Sequence, residues 1–204
     1  MNEKLTALQA GAAMRRSQYD LGKDLPITPQ ELKHLVEEIV LHSPSARNSQ
    51  TARLVLVLGE QHERMWDTVL PIILPLTKEP LRDAMVQKFE GFKRAYATLL
   101  FFEDGAILKD LVTRYPHTAE DTMLFAAHAN AMQQYAAWTQ LAALEIGASL
   151  QHHNSAGPAI RAFLGLPEEW IPHAQLVLGN IVTPTGKIKE QHLPVSERLR
   201  VVGA

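Results

Sequence analysis

The stretch TAEDTMLFAAHANAMQQYAAWTQLAALEIGA, from Thr118 to Ala148, carries ten alanines between positions 119 and 148. It opens with Thr-x-x-Asp, a spacing that resembles a capping box, and its length predicts one regular helix over about 118–148. Small side chains on several faces let other elements approach the helix axis closely, so the rest of the chain must pack around this segment. A run of this length also often extends into a partner subunit.

Shorter elements surround it. Residues 2–14 can be helical. In PITPQELKHLVEEIVLHS, Thr28 stands where an N-cap belongs, Pro29 at the first helical position and Glu31 three residues after the cap. Leu32, Leu35, Val36, Ile39 and Val40 then recur at helical spacing. Continuous apolar runs at 52–59 (ARLVLVLG), 95–104 (AYATLLFFED) and 174–182 (AQLVLGNIV) predict buried strands. Residues 60–70 and 79–93 read as helices, the second with Leu81, Met85, Lys88, Phe89 and Phe92 on one stripe. Residues 105–114 form a short helix or loop, and GPAIRAFLGLP another short helix. VLPIILPL (69–76), broken by two prolines, reads as buried or capping structure. Helices alternate with three or four strands, which points to a small α+β sandwich with a dominant central helix, built as a single domain over 1–204.

Several function classes fall away on composition. The chain has no cysteine, which removes disulfides, thiolate metal sites, iron–sulfur clusters and a cysteine nucleophile. Its formal net charge of −2 gives no electrostatic pull toward nucleic acid or an anionic membrane. The N-terminal residues lack the basic start and apolar block of a secretory signal, and no run approaches ~18 uninterrupted apolar residues. The expectation is a cytoplasmic enzyme or binding protein. P-loop, G-x-G-x-x-G and G-x-S-x-G patterns are all missing from the sequence.

Polar residues collect in four islands. Arg15, Arg16 and Ser17 place two guanidiniums and a hydroxyl side by side, which suits phosphate oxygens and equally suits a solvated helix end. SPSARNSQ (43–50) offers serine hydroxyls and amides that can meet the edge of a heteroaromatic ring or simply close a turn. A basic tail carries Lys187, Lys189, Arg198 and Arg200, either solvated surface or part of an anion site. SLQHHN (149–154) holds two adjacent histidines, but neighbours in an extended loop point to opposite sides and rarely chelate one ion. No metal site and no catalytic triad are therefore expected.

The order of these islands resembles the nitroreductase superfamily of FMN-dependent oxidoreductases. RRSQYDLGKDLPIT, LHSPSARNSQTARLVLVLG, AYATLLFFED, QQYAAWTQLAALEIGASLQHHN, PHAQLVLGNIV and the basic tail carry the likeness, over about residues 12–203. Within that superfamily the chain is similar to the small branch typified by the yeast homologues of bacterial nitroreductases. The resemblance implies an α+β three-layer sandwich with a central, mainly antiparallel sheet and a long central helix, in an intertwined homodimer with two FMN sites at the subunit interface.

It also implies residue roles. Arg15, Arg16 and Ser17 would hold the FMN phosphate. Asn48 and Gln50 match flavin-binding positions, Asn48 from the partner subunit. Leu150, Gln151 and His152 would lie along the isoalloxazine ring, and Lys187 or Lys189, with Arg198 as a further candidate, would return to the phosphate. The tail departs from the Lys-x-Arg pattern of larger relatives. No side chain is expected as a catalytic nucleophile or base, because the flavin carries the hydride chemistry. NADH or NADPH would reduce the flavin, and a nitroaromatic or quinone-like electrophile would then bind on the same face. The alternatives are a flavin-dependent quinone reductase and a non-catalytic flavin-binding or sensing dimer.

Overall fold

The structure, a computed structural model, describes residues 3–186 and 190–203. Its centre is a sheet of five strands: β1 Asp20–Gly22, β2 Ala52–Leu58, β3 Ala97–Asp104, β4 Ile146–Gln151 and β5 Trp170–Thr183. Pairing runs β1-β5-β3-β2, with β4 also on β5, and every strand pair is antiparallel. The long β5 is the hub because it pairs with three strands. Where it meets β3, His173 is an extra residue in the register, and Pro172 sits at this bulge, where a missing N–H costs no ladder bond.

Helices cover both sheet faces, giving three layers. On one face α3 (Gly59–Ile73), α4 (Arg82–Arg94) and α7 (Gly157–Leu164) close a core around Trp66, Phe89, Phe92 and Phe102. On the other, α2 (Pro29–His42) and α6 (Ala119–Ala143) close a second core around Leu32, Ile39, Phe101, Leu141 and Leu176. Helix α1 (Glu3–Met14) lies against α6, and α5 (Gly105–Arg114) links β3 to α6. One turn of helix, α8 (Val195–Arg198), interrupts the extended tail. Among the described residues no helix is long and apolar enough to cross a membrane.

The start of α2 follows the sequence signal. Thr28 Oγ1 accepts from Glu31 N at 3.2 Å, and Glu31 Oε2 accepts from Thr28 N at 2.7 Å, with Pro29 in the first turn. The bond from Thr28 N, with a second donated by Thr28 Oγ1 to Glu31 Oε2 at 2.8 Å, holds the Glu31 carboxyl below its ordinary pKa.

The central helix differs from expectation at both ends. Thr118 makes no cap; its hydroxyl receives Arg47 Nη2 at 3.0 Å instead. The helix stops at Ala143, and Glu145, at φ 60°, turns the chain into β4. Residues 146–151, read as helix end and loop, are therefore a strand. Alanine content does not mark where a helix yields to a strand; the ladder to Gln175–Asn180 does, by satisfying six backbone positions in a row. Gly147 is required there, since a Cβ would lie 2.6 Å from Leu21 Cδ2 and 2.7 Å from Ile181 Cγ1. Helix α3 runs through Pro71 to Ile73 before a 3-10 turn over Leu74–Leu76, so VLPIILPL is mostly helix.

Candidate functional site

Two groups of the expected residues form in the chain. The first gathers at β4. An extended segment after α1 runs beside this strand, with Ser17 bridged to Ala148 and Gln18 N donating to Ala148 O at 3.0 Å. Alternation along it separates the two arginines. Arg16 and Gln18 share a groove of about 720 Å³ with Asp24, Glu145 and Asn180. The Arg15 guanidinium instead lies 4.4 Å from the ring centroid of Trp138 on α6, a cation–π contact that pre-orients it. The adjacent pair is thus not a two-pronged fork on one side.

Further along, Tyr19 and Asp20 line a separate groove of about 560 Å³ against Gln87, Lys88, Gly91 and Arg94 of α4. This groove abuts the histidine segment: the Phe92 ring, which lines it, lies 6.0 Å from that of His153. His153 also packs 5.0 Å from Phe89 and 6.1 Å from Trp66, and burial lowers its pKa to about 4, with the positive charges of Lys88 and His152 acting the same way. His153 is a neutral ring at ordinary pH. The Lys88 ammonium stands 5.4 Å from the Phe92 centroid, and desolvation holds it below the ordinary lysine range.

Within β4, Leu150 packs on the α2/α6 core while Gln151 is buried on the other face, donating to Ser149 Oγ at 3.2 Å. His152 is exposed at the strand end. The turn behind it is clamped by Gln175, whose Oε1 accepts from His153 N at 2.8 Å and whose Nε2 donates to Asn154 Oδ1 at 3.0 Å. Asn154 Nδ2 in turn donates to His173 O at 2.9 Å.

The second group is the amide loop before β2. Arg47, Asn48 and Gln50 all have positive φ, 56°, 52° and 49°, although none is glycine. Each such residue stores about 1–3 kcal/mol of strain, with Asn at the low end, and backbone of this kind clusters where geometry is functional. Gln50 Nε2 donates to Asn48 Oδ1 at 3.0 Å, and both side chains are exposed. Gln50 opens onto a cleft of about 190 Å³ shared with Ser43, Ser45, Arg53 and Gln133. Gln133 Oε1 is buried there with no hydrogen-bond partner among the described residues. Below the loop, Asn130 Nδ2 of α6 donates to Glu103 Oε1 at 2.9 Å, and burial pushes the Glu103 carboxyl up.

The two groups do not meet within one chain. Leu54 pairs with Phe101 and Phe101 with Ala174, while Gln151 pairs with Gln175 next along β5. Three strand spacings of ~4.8 Å therefore separate β2 from β4, about 14 Å across the sheet, and the loop at the Glu103 end of β2 is offset further along the strands. In the tail, Arg198 Nη2 donates to Gln191 Oε1 at 2.7 Å, in an exposed segment. Lys187 and Lys189 lie outside the described residues. No cluster of three or more metal-ligating side chains occurs among the described residues.

Lys88, Gln133 and Gln175 were not singled out for function in the sequence, although each left a trace. Lys88 is a cation on an otherwise apolar helical stripe, Gln133 an amide inside the alanine-rich helix and Gln175 an amide inside an apolar strand.

Comparison with known proteins matches the model described as "Nitroreductase family" to residues 12–180. The Saccharomyces cerevisiae protein HBN1, named as a nitroreductase, is 33% identical over 179 residues, covering 85% of this chain and 87% of its own. The Lactococcus lactis nitroreductase CinD, solved in complex with chloramphenicol, superposes with a TM-score of 0.85 at 31% identity, covering 95% of this chain and 98% of its own. An Exiguobacterium sibiricum protein solved in complex with FMN shares the fold, with a TM-score of 0.70 at 15% identity, covering 96% of this chain and 97% of its own.

Proposed function

The chain belongs to the nitroreductase family, and from that premise we propose an FMN-dependent NAD(P)H oxidoreductase that reduces nitroaromatics or similar small electrophiles. The observation that carries this reading is the division of polar residues into two groups on strands three spacings apart, about 14 Å across the sheet. Neither group is a complete site. Two copies of the chain in a homodimer complete two sites, each taking its amide loop from one protomer and its β4 edge from the other.

The residues fit FMN. The buried Gln133 Oε1, without a hydrogen-bond partner among the described residues, and the Asn48–Gln50 amides offer acceptors and donors to a heterocycle edge. Arg15, preset on Trp138, and Ser17 offer a cation and a hydroxyl to a phosphate, and Lys187, Lys189 and Arg198 in the tail are further candidates. Arg16, which lines the neighbouring groove, is a further candidate for the phosphate. FMN, when bound, supplies hydride chemistry, taking two electrons from a nicotinamide and passing them to an electron-poor acceptor.

The protein's own part is binding and charge. Lys88 places a positive charge in the wall of the groove that abuts the His153 segment, where it would favour an anionic group bound there. The backbone of Leu150 and Gln151 would border the flavin edge, and the neutral His153, packed behind Phe92, adds no charge to that wall. The nicotinamide and the acceptor use one groove in turn, a ping-pong order.

The visible spectrum of the purified protein tests this. Yellow protein, bleached by NADH or NADPH and recoloured by a nitroaromatic, is the expected result. A colourless protein that cannot be reconstituted with FMN would refute it. Recolouring by quinones alone would make the chain a quinone reductase, and bound flavin that neither nicotinamide reduces would make it a binding or sensing dimer.

A further inference from the structure

The amide loop before β2 holds a conformation its own residues disfavour, so something outside it must fix the shape. Ser45 Oγ accepts from Gln50 N at 3.0 Å, and the Arg47 guanidinium lies 4.4 Å from the Tyr115 ring centroid. These contacts pin the start of the loop. At the exit Asp104 N donates to Thr51 O at 2.9 Å, and one side chain reaches the Gln50 carbonyl. Left-handed backbone at Gln50 turns its carbonyl toward β2, where Arg53 Nη1 donates to Gln50 O at 2.8 Å and to Ala52 O at 3.0 Å. The same guanidinium donates through Nη2 to Asp104 Oδ2 at 3.0 Å. Asp104 is itself fixed, because its Oδ1 caps α5 by accepting from Ala106 N at 3.0 Å and Ile107 N at 3.1 Å.

We propose that Arg53 is the positioning residue of the amide loop: it ties the Gln50 carbonyl to a carboxylate anchored on β3 and so sets the directions of Asn48 and Gln50 toward a ligand. The assignment of that ligand as flavin rests on the function proposed above; the positioning role does not. Arg53 is partly buried, 29% exposed, and Asp104 is 14% exposed, so the pair is shielded from much of the solvent that weakens surface ion pairs. Arginine suits the task because its planar fork meets two carbonyls and a carboxylate at fixed angles, which a single ammonium cannot do. Arg53 also lines the cleft, so ligand affinity alone does not isolate its positioning role, and loop geometry is read without ligand. The positioning effect of Arg53 passes through the backbone of Gln50.

The test uses full-length protein carrying Arg53→Met, Arg53→Lys or, as a surface-charge control, Arg64→Met on α3. Hydrogen exchange at the Gln50 amide, which is bonded to Ser45 Oγ, reads loop geometry without any ligand. The expectation is at least tenfold faster exchange in both Arg53 variants and no change in Arg64→Met. Unchanged exchange in Arg53→Lys, which keeps the charge and stem and is the milder perturbation of the fold, overturns the proposal. In FMN-loaded protein, both Arg53 variants should weaken FMN binding about tenfold and shift the flavin absorption bands. Wild-type FMN affinity and spectrum in both variants also overturn it. Wild-type protein that takes up no FMN defeats the flavin reading alone, and the exchange result still decides the role of Arg53.

Discussion

Replacing Thr98 with valine tests the polar seam that crosses the α3 side of the core. Thr98 is fully buried, and its hydroxyl stands between two partners: Trp66 Nε1 donates to Thr98 Oγ1 at 3.0 Å, and Thr98 Oγ1 donates to His62 Nδ1 at 3.0 Å. The direction is set at the far end, where His62 Nε2 must donate to Phe92 O at 2.8 Å because a carbonyl can only accept. That fixes the neutral tautomer, and burial lowers the His62 pKa in agreement with it. Valine keeps the shape of threonine, so no cavity opens. It strands one donor and one acceptor, each at about 1–3 kcal/mol, against a gain of about 1 kcal/mol for the added apolar surface. The net loss is about 1–5 kcal/mol. For a chain of 204 residues this corresponds to a melting temperature lower by about 2–20 °C. Urea unfolding followed by tryptophan fluorescence measures it, with an unchanged m-value as the sign that only stability moved. Thr98→Ser, which keeps both hydrogen bonds and loses one methyl, is the reference. If Thr98→Val is as stable as wild type, the hydrogen-bonded seam gives no net stability and the reasoning fails.

Two further outcomes follow from the histidine segment. The folded pKa of His153, about 4, lies below its ordinary value of 6.5, so the unfolded chain binds the extra proton first. Its contribution to stability is complete above about pH 6.5, is lost as pH falls toward 4, and is level below that. His62 and His173, also lowered by burial, tilt stability the same way, so the difference between wild type and His153→Leu in urea midpoints from pH 7 to 4 isolates the residue. Equal slopes in the two proteins would contradict the half-buried, neutral ring. Gln175→Leu removes the acceptor for His153 N and the donor to Asn154, at about 1–3 kcal/mol for the buried amide left behind. Amide exchange at His153 should accelerate by at least an order of magnitude, and unchanged protection would show that Gln175 does not hold the turn.

Much of the layout is legible from residue pattern because local chemistry and tertiary structure agree there. Thr28, Pro29 and Glu31 form the cap their spacing announces, and the apolar runs at β2, β3 and β5 become strands. Disagreement falls where long-range partners decide. Thr118 lies at a helix start, yet Arg47, distant in sequence, takes its hydroxyl. Residues 146–148 continue the composition of the central helix, yet pairing with β5 makes them strand. The same holds at the candidate site. RRS, SARNSQ and SLQHHN are visible as polar islands, but the separation of Arg15 from Arg16 depends on which neighbour each meets across a bridge to Ala148. Gln133 and Gln175 are harder to see because only burial distinguishes a functional amide from a tolerated one, and Lys88 because only the Phe92 ring beside it sets it apart from other exposed lysines.

The segment beside β4 has a consequence for how this chain can vary. Its backbone is fastened by the Ser17–Ala148 bridge, while side chains at 16 and 18 enter one groove and Tyr19 enters another. A substitution alters one wall and spares the other. Loss or gain of a single residue between Met14 and Asp20 does something else: it exchanges the two walls, because side-chain direction along an extended strand is a matter of odd and even. What is inherited in this stretch is therefore parity as much as identity. Length changes here should survive only in steps of two.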